Sequence, residues 1–205
     1  MTDDILSVLP VRSGHFLLES GYHTELWFSL DALFRSPREL APLISTLAER
    51  LAPYRPDAIC GPLLGGAFLA QALAIELDVH FYYSAPAARL TSGHLFSASY
   101  ELPFELQKSA CGERVALVDD VISAGSSVRA TANALAMAKC FLVSVGTLVL
   151  LGTRAEEHFR NVSVPIETLQ RCDFETWAPD KCPACLRNEL LEDPVSERTE
   201  SNAPY

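Results

Sequence analysis

The sequence predicts an α/β fold with a central, mostly parallel sheet flanked by helices, and three observations point there. Short apolar stretches alternate with helical ones, as βαβ units require. One strand-to-helix turn is rich in glycine and another is made almost wholly of small residues. The 205 residues suffice for one domain with a sizeable core, taken here as residues 1–190.

The first helix follows from SPRELAPLISTLAERLAPYRP. Ser36 suits the N-cap, Pro37 the first helical position, and Glu39 falls three residues after the cap, the pattern of a capping box. Leu40, Leu43, Ile44, Leu47 and Leu51 then recur at helical spacing until Pro53 and Pro56 end the pattern, so this helix should cover one face of a sheet. A short strand, DAIC, leads through the turn GPLLGG into an apolar helix, AFLAQALAIEL, and a further strand, VHFYY. After a polar stretch from Ser84 to Gly112 the pattern repeats: strand RVALV, a second turn, helix SVRATANALAMAKC and the long apolar strand FLVSVGTLVLL. From Ala155 the periodicity fades, and the polar end predicts a mobile tail over 191–205.

Hydrophobic residues make up 49% and charged residues 20%, an ordinary globular balance, while a net charge of −10 disfavours nucleic acid and anionic lipid as partners. No apolar run is long enough to span a bilayer, and MTDDILSVLP carries acids where a secretory signal carries cations, so the cytoplasm is the expected compartment. The six cysteines are scattered and there expected to stay reduced.

The chemistry lies in VALVDDVISAGSS, residues 115–127. In a parallel sheet, ligands gather at the carboxyl ends of strands, where Asp119 and Asp120 fall. The residues that follow, Ser123, Ala124, Gly125, Ser126 and Ser127, leave backbone amides free to approach an anion at a helix N-terminus. A phosphate beside two carboxylates is repulsive unless something lies between them. A ribose ring, whose vicinal hydroxyls donate to both acids, fills that gap.

This stretch closely resembles the thirteen-residue 5-phosphoribosyl-1-pyrophosphate (PRPP) motif of type I phosphoribosyltransferases. The resemblance implies that Asp119 and Asp120 hold the ribose hydroxyls and that residues 123–127 cradle the 5-phosphate. It also assigns pyrophosphate binding to the upstream turn Gly61, Pro62, Leu63, Leu64, Gly65 and Gly66. The N-terminal GHFLLESGYHTELWF resembles the start of orotate phosphoribosyltransferases, with Trp27 and Phe28 where that family stacks its pyrimidine and Arg154 where it places an arginine near the base. WAPDKCPAC resembles a bacterial and archaeal branch with a C-terminal C-P-x-C. By this likeness residues 1–35 and 152–186 contribute a small hood over the base site. The expected activity is magnesium-dependent transfer of the phosphoribosyl group from PRPP to a nucleobase, orotate first, in pyrimidine biosynthesis, by a homodimer sharing a flexible loop. Mg²⁺ would ride on the substrate without direct protein ligands.

Members of the family take cations for this reaction from that loop, which here offers Arg89, His94 and Lys108; Arg89 and His94 are the candidates for a catalytic role. FSASY stands where the similar branch has a pair of arginines, and Glu19 and Gly65 stand where many members have lysine. Two alternatives therefore stay open: another base, such as a purine, or a noncatalytic PRPP-binding regulator. Cys182 and Cys185 form half of a possible zinc site, with Cys172 as a third donor and the fourth unassigned.

Overall fold

The computed structural model describes residues 11–18, 21–28, 34–87, 99–172 and 175–194. Two compact units divide the chain: Met1–Ser29 with Phe174–Tyr205, and Leu30–Asp173. Residues 152–173, assigned above to the hood, thus belong to the larger unit, as do residues 30–35.

In the smaller unit, β1 (Val11–Leu17) and β2 (His23–Phe28) form an antiparallel hairpin. A short helix, α6 (Pro183–Leu186), lies in its C-terminal segment. Phe16 bridges Glu192 and His23 bridges Trp177, so backbone pairing joins the two ends of the chain. Glu192 is therefore paired where the sequence predicts mobile tail; residues 195–205 lie outside the described residues.

The larger unit is built on a six-stranded sheet in the order β5-β4-β3-β6-β7-β8. These strands are β3 (Ala58–Pro62), β4 (His80–Pro86), β5 (Tyr100–Glu101), β6 (Arg114–Ile122), β7 (Phe141–Leu151) and β8 (Ile166–Cys172). Only β5 runs antiparallel, at one edge. The helices are α1 (Pro37–Leu51), α2 (Gly65–Leu77), α3 (Phe104–Ala110), α4 (Ser126–Met137) and α5 (Arg154–Asn161).

Helix α1 starts at Pro37 and buries Leu40, Ile44, Leu47, Ala48 and Leu51, close to the expected stripe; Leu43 is half-buried. The capping box does not form: Ser36 makes no side-chain cap, and the amides of Glu39 and Leu40 bond instead to its backbone carbonyl. Strands β6 and β7 are almost wholly buried, as strands covered on both faces must be. Val115, Leu117, Val145 and Leu150 belong to one core cluster with Val128 and Leu135 of α4.

Strand order places the site. From β3 the chain crosses outward to β4, whereas from β6 it crosses the other way to β7 and β8. Adjacent strands whose connections diverge leave a crevice at their carboxyl ends, the usual ligand position in open α/β sheets. The turns after β3 and β6 both open there.

Candidate active site

The turn after β3 and the end of β6 are pressed together. A methyl group added at Gly65 would overlap the Asp120 carboxylate, and one at Gly66 would lie 2.7 Å from Asp119 Oδ1. These positions have room only for glycine because the two carboxylates, and at Gly66 the Pro62 ring at 2.6 Å, occupy the space a side chain would need. A longer side chain at position 65 has no room in this arrangement. The peptide between Leu63 and Leu64 is cis.

Asp119 is only 7% exposed, and Asp120 is half-buried. The Ser127 hydroxyl donates to Asp119 Oδ2 at 2.8 Å, and the Asp120 amide donates to Asp119 Oδ1 at 3.1 Å. The Val121 amide donates to Asp120 Oδ1 at 2.8 Å, while the Thr147 hydroxyl of β7 donates to the Asp120 carbonyl at 3.1 Å. Both acids are thus held by their own backbone and by adjacent elements. Burial, followed by repulsion from Asp120, pushes the Asp119 carboxyl well above the usual carboxylate range, partly opposed by the Ser127 hydroxyl. Such a pair favours ligands that bring hydrogen-bond donors or positive charge.

Between β6 and α4, Gly125 is the helix N-cap and adopts φ +77°, the left-handed region that glycine enters without strain. That turn opens the N-terminus of α4, a helix long enough to present free amides to an anion. Ser123 Oγ is buried without a hydrogen-bond partner among the described residues. An orphaned hydroxyl in an amide-rich turn suits an anion-binding loop.

The other candidate residues are placed separately. Arg154 is the first residue of α5 in the larger unit. Trp27 and Phe28 end β2 in the smaller unit, where the Trp27 ring lies 6.1 Å, centroid to centroid, from Phe16. Lys108 is exposed in the last turn of α3, whereas Glu19, Arg89 and His94 lie outside the described residues.

The cysteines give a different result from the donor set considered above. Cys172 ends β8 in the larger unit, while Cys182 and Cys185 are gathered with His15 and His23 in the smaller one, all four donor atoms within 4.8 Å of one another. Burial and the neighbouring His15 lower the pKa of His23. The sequence pattern marks neither histidine, because both lie at the far end of the chain from Cys182 and Cys185. The only linear signal is the presence of two histidines, His15 and His23, on either side of the Ser20–Gly21 step.

Several known proteins resemble this chain. Orotate phosphoribosyltransferase of Caldanaerobacter subterraneus subsp. tengcongensis is 28% identical over 191 residues, covering 92% of each chain. That of Desulforamulus reducens is 30% identical over 173 residues, covering 84% of this chain and 83% of its own. Among solved structures, adenine phosphoribosyltransferase of Thermoanaerobacter pseudethanolicus superimposes with a TM-score of 0.67 at 17% identity, covering 84% of this chain and all of that one (100%). Orotate phosphoribosyltransferase of Mycobacterium tuberculosis gives 0.61 at 20% identity, covering 83% of this chain and 93% of its own. These two structures share the fold. With the sequence pattern of the phosphoribosyl transferase domain matching residues 29–177, most of the chain, this protein belongs to that family.

Proposed function

We propose that this phosphoribosyltransferase moves the 5-phosphoribosyl group of PRPP to orotate, yielding orotidine 5′-phosphate and pyrophosphate in pyrimidine biosynthesis. The observation that carries the reading is the convergence of the two turns after β3 and β6, with Gly65 and Gly66 against Asp120 and Asp119. The orotate enzymes similar over nearly the whole chain favour orotate as acceptor.

In this reading the ribose hydroxyls donate to Asp119 and Asp120, and the amides and hydroxyls of residues 123–127 hold the 5-phosphate. The turn 61–66 meets the pyrophosphate with backbone alone. As the bond to pyrophosphate lengthens, positive charge grows on the ribose carbon, and carboxylates already fixed by hydrogen bonds stabilise it with little reorganisation. Trp27 and Phe28 offer aromatic faces for the base, and Arg154 a bidentate partner for a carboxylate. The protein's task is positioning and electrostatics; a deprotonated pyrimidine nitrogen needs no strong base.

The acid pair fits a substrate that arrives with magnesium, whose positive charge the carboxylates would balance without ligating it. When bound, the ion supplies neutralisation of the departing pyrophosphate. Arg89 and His94 are the loop candidates for the same task. A homodimer in the cytoplasm completes the proposal. The exposed Phe68 and Ile75, seven residues apart on α2, offer an apolar strip to a second copy.

Pyrophosphate release from PRPP and Mg²⁺, measured with orotate, uracil, hypoxanthine and adenine beside calorimetric titration of PRPP, tests this. Release with orotate alone is expected. Release only with a purine would support the second reading, motivated by Glu19 and Gly65 standing where many members carry lysine. PRPP binding without release from any base would make the chain a noncatalytic regulator.

A further inference from the structure

We propose that His15, His23, Cys182 and Cys185 form a closed, structural zinc site joining the N-terminal hairpin to the C-terminal segment. The four donors come from opposite ends of the chain but lie in one compact unit. His15 lies in the register irregularity between Ser13 and Phe16, and His23 pairs with Leu17; the irregularity lets the two rings meet on the hairpin. Cys182 caps α6 and Cys185 lies within it, spaced as a C-x₂-C knuckle.

The distances suit one small ion. Tetrahedral zinc, with bonds of about 2.0–2.1 Å to imidazole nitrogen and about 2.3 Å to thiolate sulfur, sets its donors roughly 3.3–3.8 Å apart. Here His15 Nε2 lies 3.0 Å from His23 Nδ1, 3.4 Å from Cys182 Sγ and 3.6 Å from Cys185 Sγ. Cys185 Sγ lies 3.2 Å from His23 Nδ1.

The hydrogen bonding agrees with the donor atoms. His15 Nδ1 lies 3.1 Å from the Glu189 carbonyl, which can only accept, so Nδ1 carries the proton. In the neutral ring the lone pair is then on Nε2, facing the other three donors. A carbonyl that holds an imidazole in one tautomer is the usual outer support of a metal-bound histidine. One proton shared between the rings would satisfy a single pair of these atoms. A zinc ion engages all four, and with both thiols releasing their protons the buried site is neutral overall.

The surroundings call for such a tie. His15, His23 and Cys182 are 3%, 4% and 1% exposed and Cys185 is half-buried, so water reaches the cluster only from the Cys185 side. Among the described residues of this unit, the buried apolar side chains are Phe16, Cys182, Ala184 and Pro194, a thin core. Units with so little apolar burial are commonly held by a metal or disulfide. Two thiolates and two imidazoles in tetrahedral array select zinc over magnesium or calcium, and four protein donors leave no open position for catalysis.

The test is metal analysis of the reduced full-length chain, reconstituted with zinc and passed over a weak chelating resin, together with a cobalt titration followed by visible absorption. Stoichiometric zinc, and cobalt spectra with tetrahedral d–d bands and thiolate charge transfer, are expected. The Cys182→Ser/Cys185→Ser variant should lose the metal, Cys172→Ser should keep it, and a strong chelator should lower the melting midpoint of the unsubstituted chain. A folded, reduced chain that takes up neither ion, metal retained by the double variant, metal lost with Cys172, or a Cys182–Cys185 disulfide in the freshly purified protein would each overturn the proposal. The cobalt titration needs no variant, so misfolding of the double variant leaves a decisive result. Orotate turnover plays no part in these readouts.

Discussion

Asp119 and Asp120 are adjacent, yet their surroundings differ: Asp119 receives the Ser127 hydroxyl and is nearly sealed, while Asp120 lies against Gly65. Replacing both with asparagine preserves their shape and removes the charge. The double variant should lose at least about tenfold in PRPP affinity, roughly 1.4 kcal/mol, with little change in melting midpoint. Calorimetric affinity equal to that of the unsubstituted chain would remove both residues from the site. Gly65→Ala forces a methyl into the Asp120 carboxylate, and overpacking of this kind costs about 1–3 kcal/mol. Its kcat/KM for PRPP should fall about tenfold or more, and an unchanged value would mean that the crevice yields freely.

At the scale of elements, the connection from β6 to α4 depends on one backbone conformation. Gly125→Ala places a side chain at φ +77° and 3.0 Å from the Ala155 side chain, with a left-handed penalty of about 1–2 kcal/mol. Chemical denaturation should register that loss, and PRPP affinity should fall with it because the turn and the helix N-terminus are one feature. The α5–β8 pair offers a pH test. Arg171 donates to Glu156 at 2.7 Å, and this bond, opposed by burial and aided by the charges of Arg171 and Arg160, lowers the Glu156 pKa from its ordinary 4.5. A carboxyl lowered on folding stabilises fully above its ordinary pKa and ceases to do so as pH falls through the folded value. For so exposed a pair the effect is about 0.5 kcal/mol. Glu156→Gln should therefore lose less melting temperature than the unsubstituted chain on acidification from about pH 5 to pH 3; parallel curves would deny the linkage. Both elements escaped the sequence pattern for a physical reason. Helix α5 buries only Ala155 and Phe159, and β8 is an edge strand burying only Thr168, so neither carries the apolar periodicity that marks a covered face.

For the whole molecule, α1 joins distant parts of the core. Leu51 is fully buried and lies where a methyl at Gly146 of β7 would meet it at 3.1 Å. Leu51→Ala should cost about 2–5 kcal/mol, lowering the melting midpoint by roughly 2–4 °C for each kcal/mol. A change below one degree would show that the core collapses to fill the space. The central strands β3, β6 and β7 were legible because a strand covered on both faces must be apolar along its length, and β7 occupies the span of FLVSVGTLVLL.

The sequence by itself determined the α/β alternation, the glycine-rich and small-residue turns and the acids near the carboxyl end of β6. Those features are local: a few consecutive residues set strand, turn or helix by their own periodicity and bulk. Only the tertiary structure decided that β3 and β6 are neighbours, which presses Gly65 and Gly66 onto the two aspartates, and that His15 and His23 meet Cys182 and Cys185 across nearly the whole chain. Each depends on which distant segments pack together, and linear spacing carries no trace of that until the backbone closes.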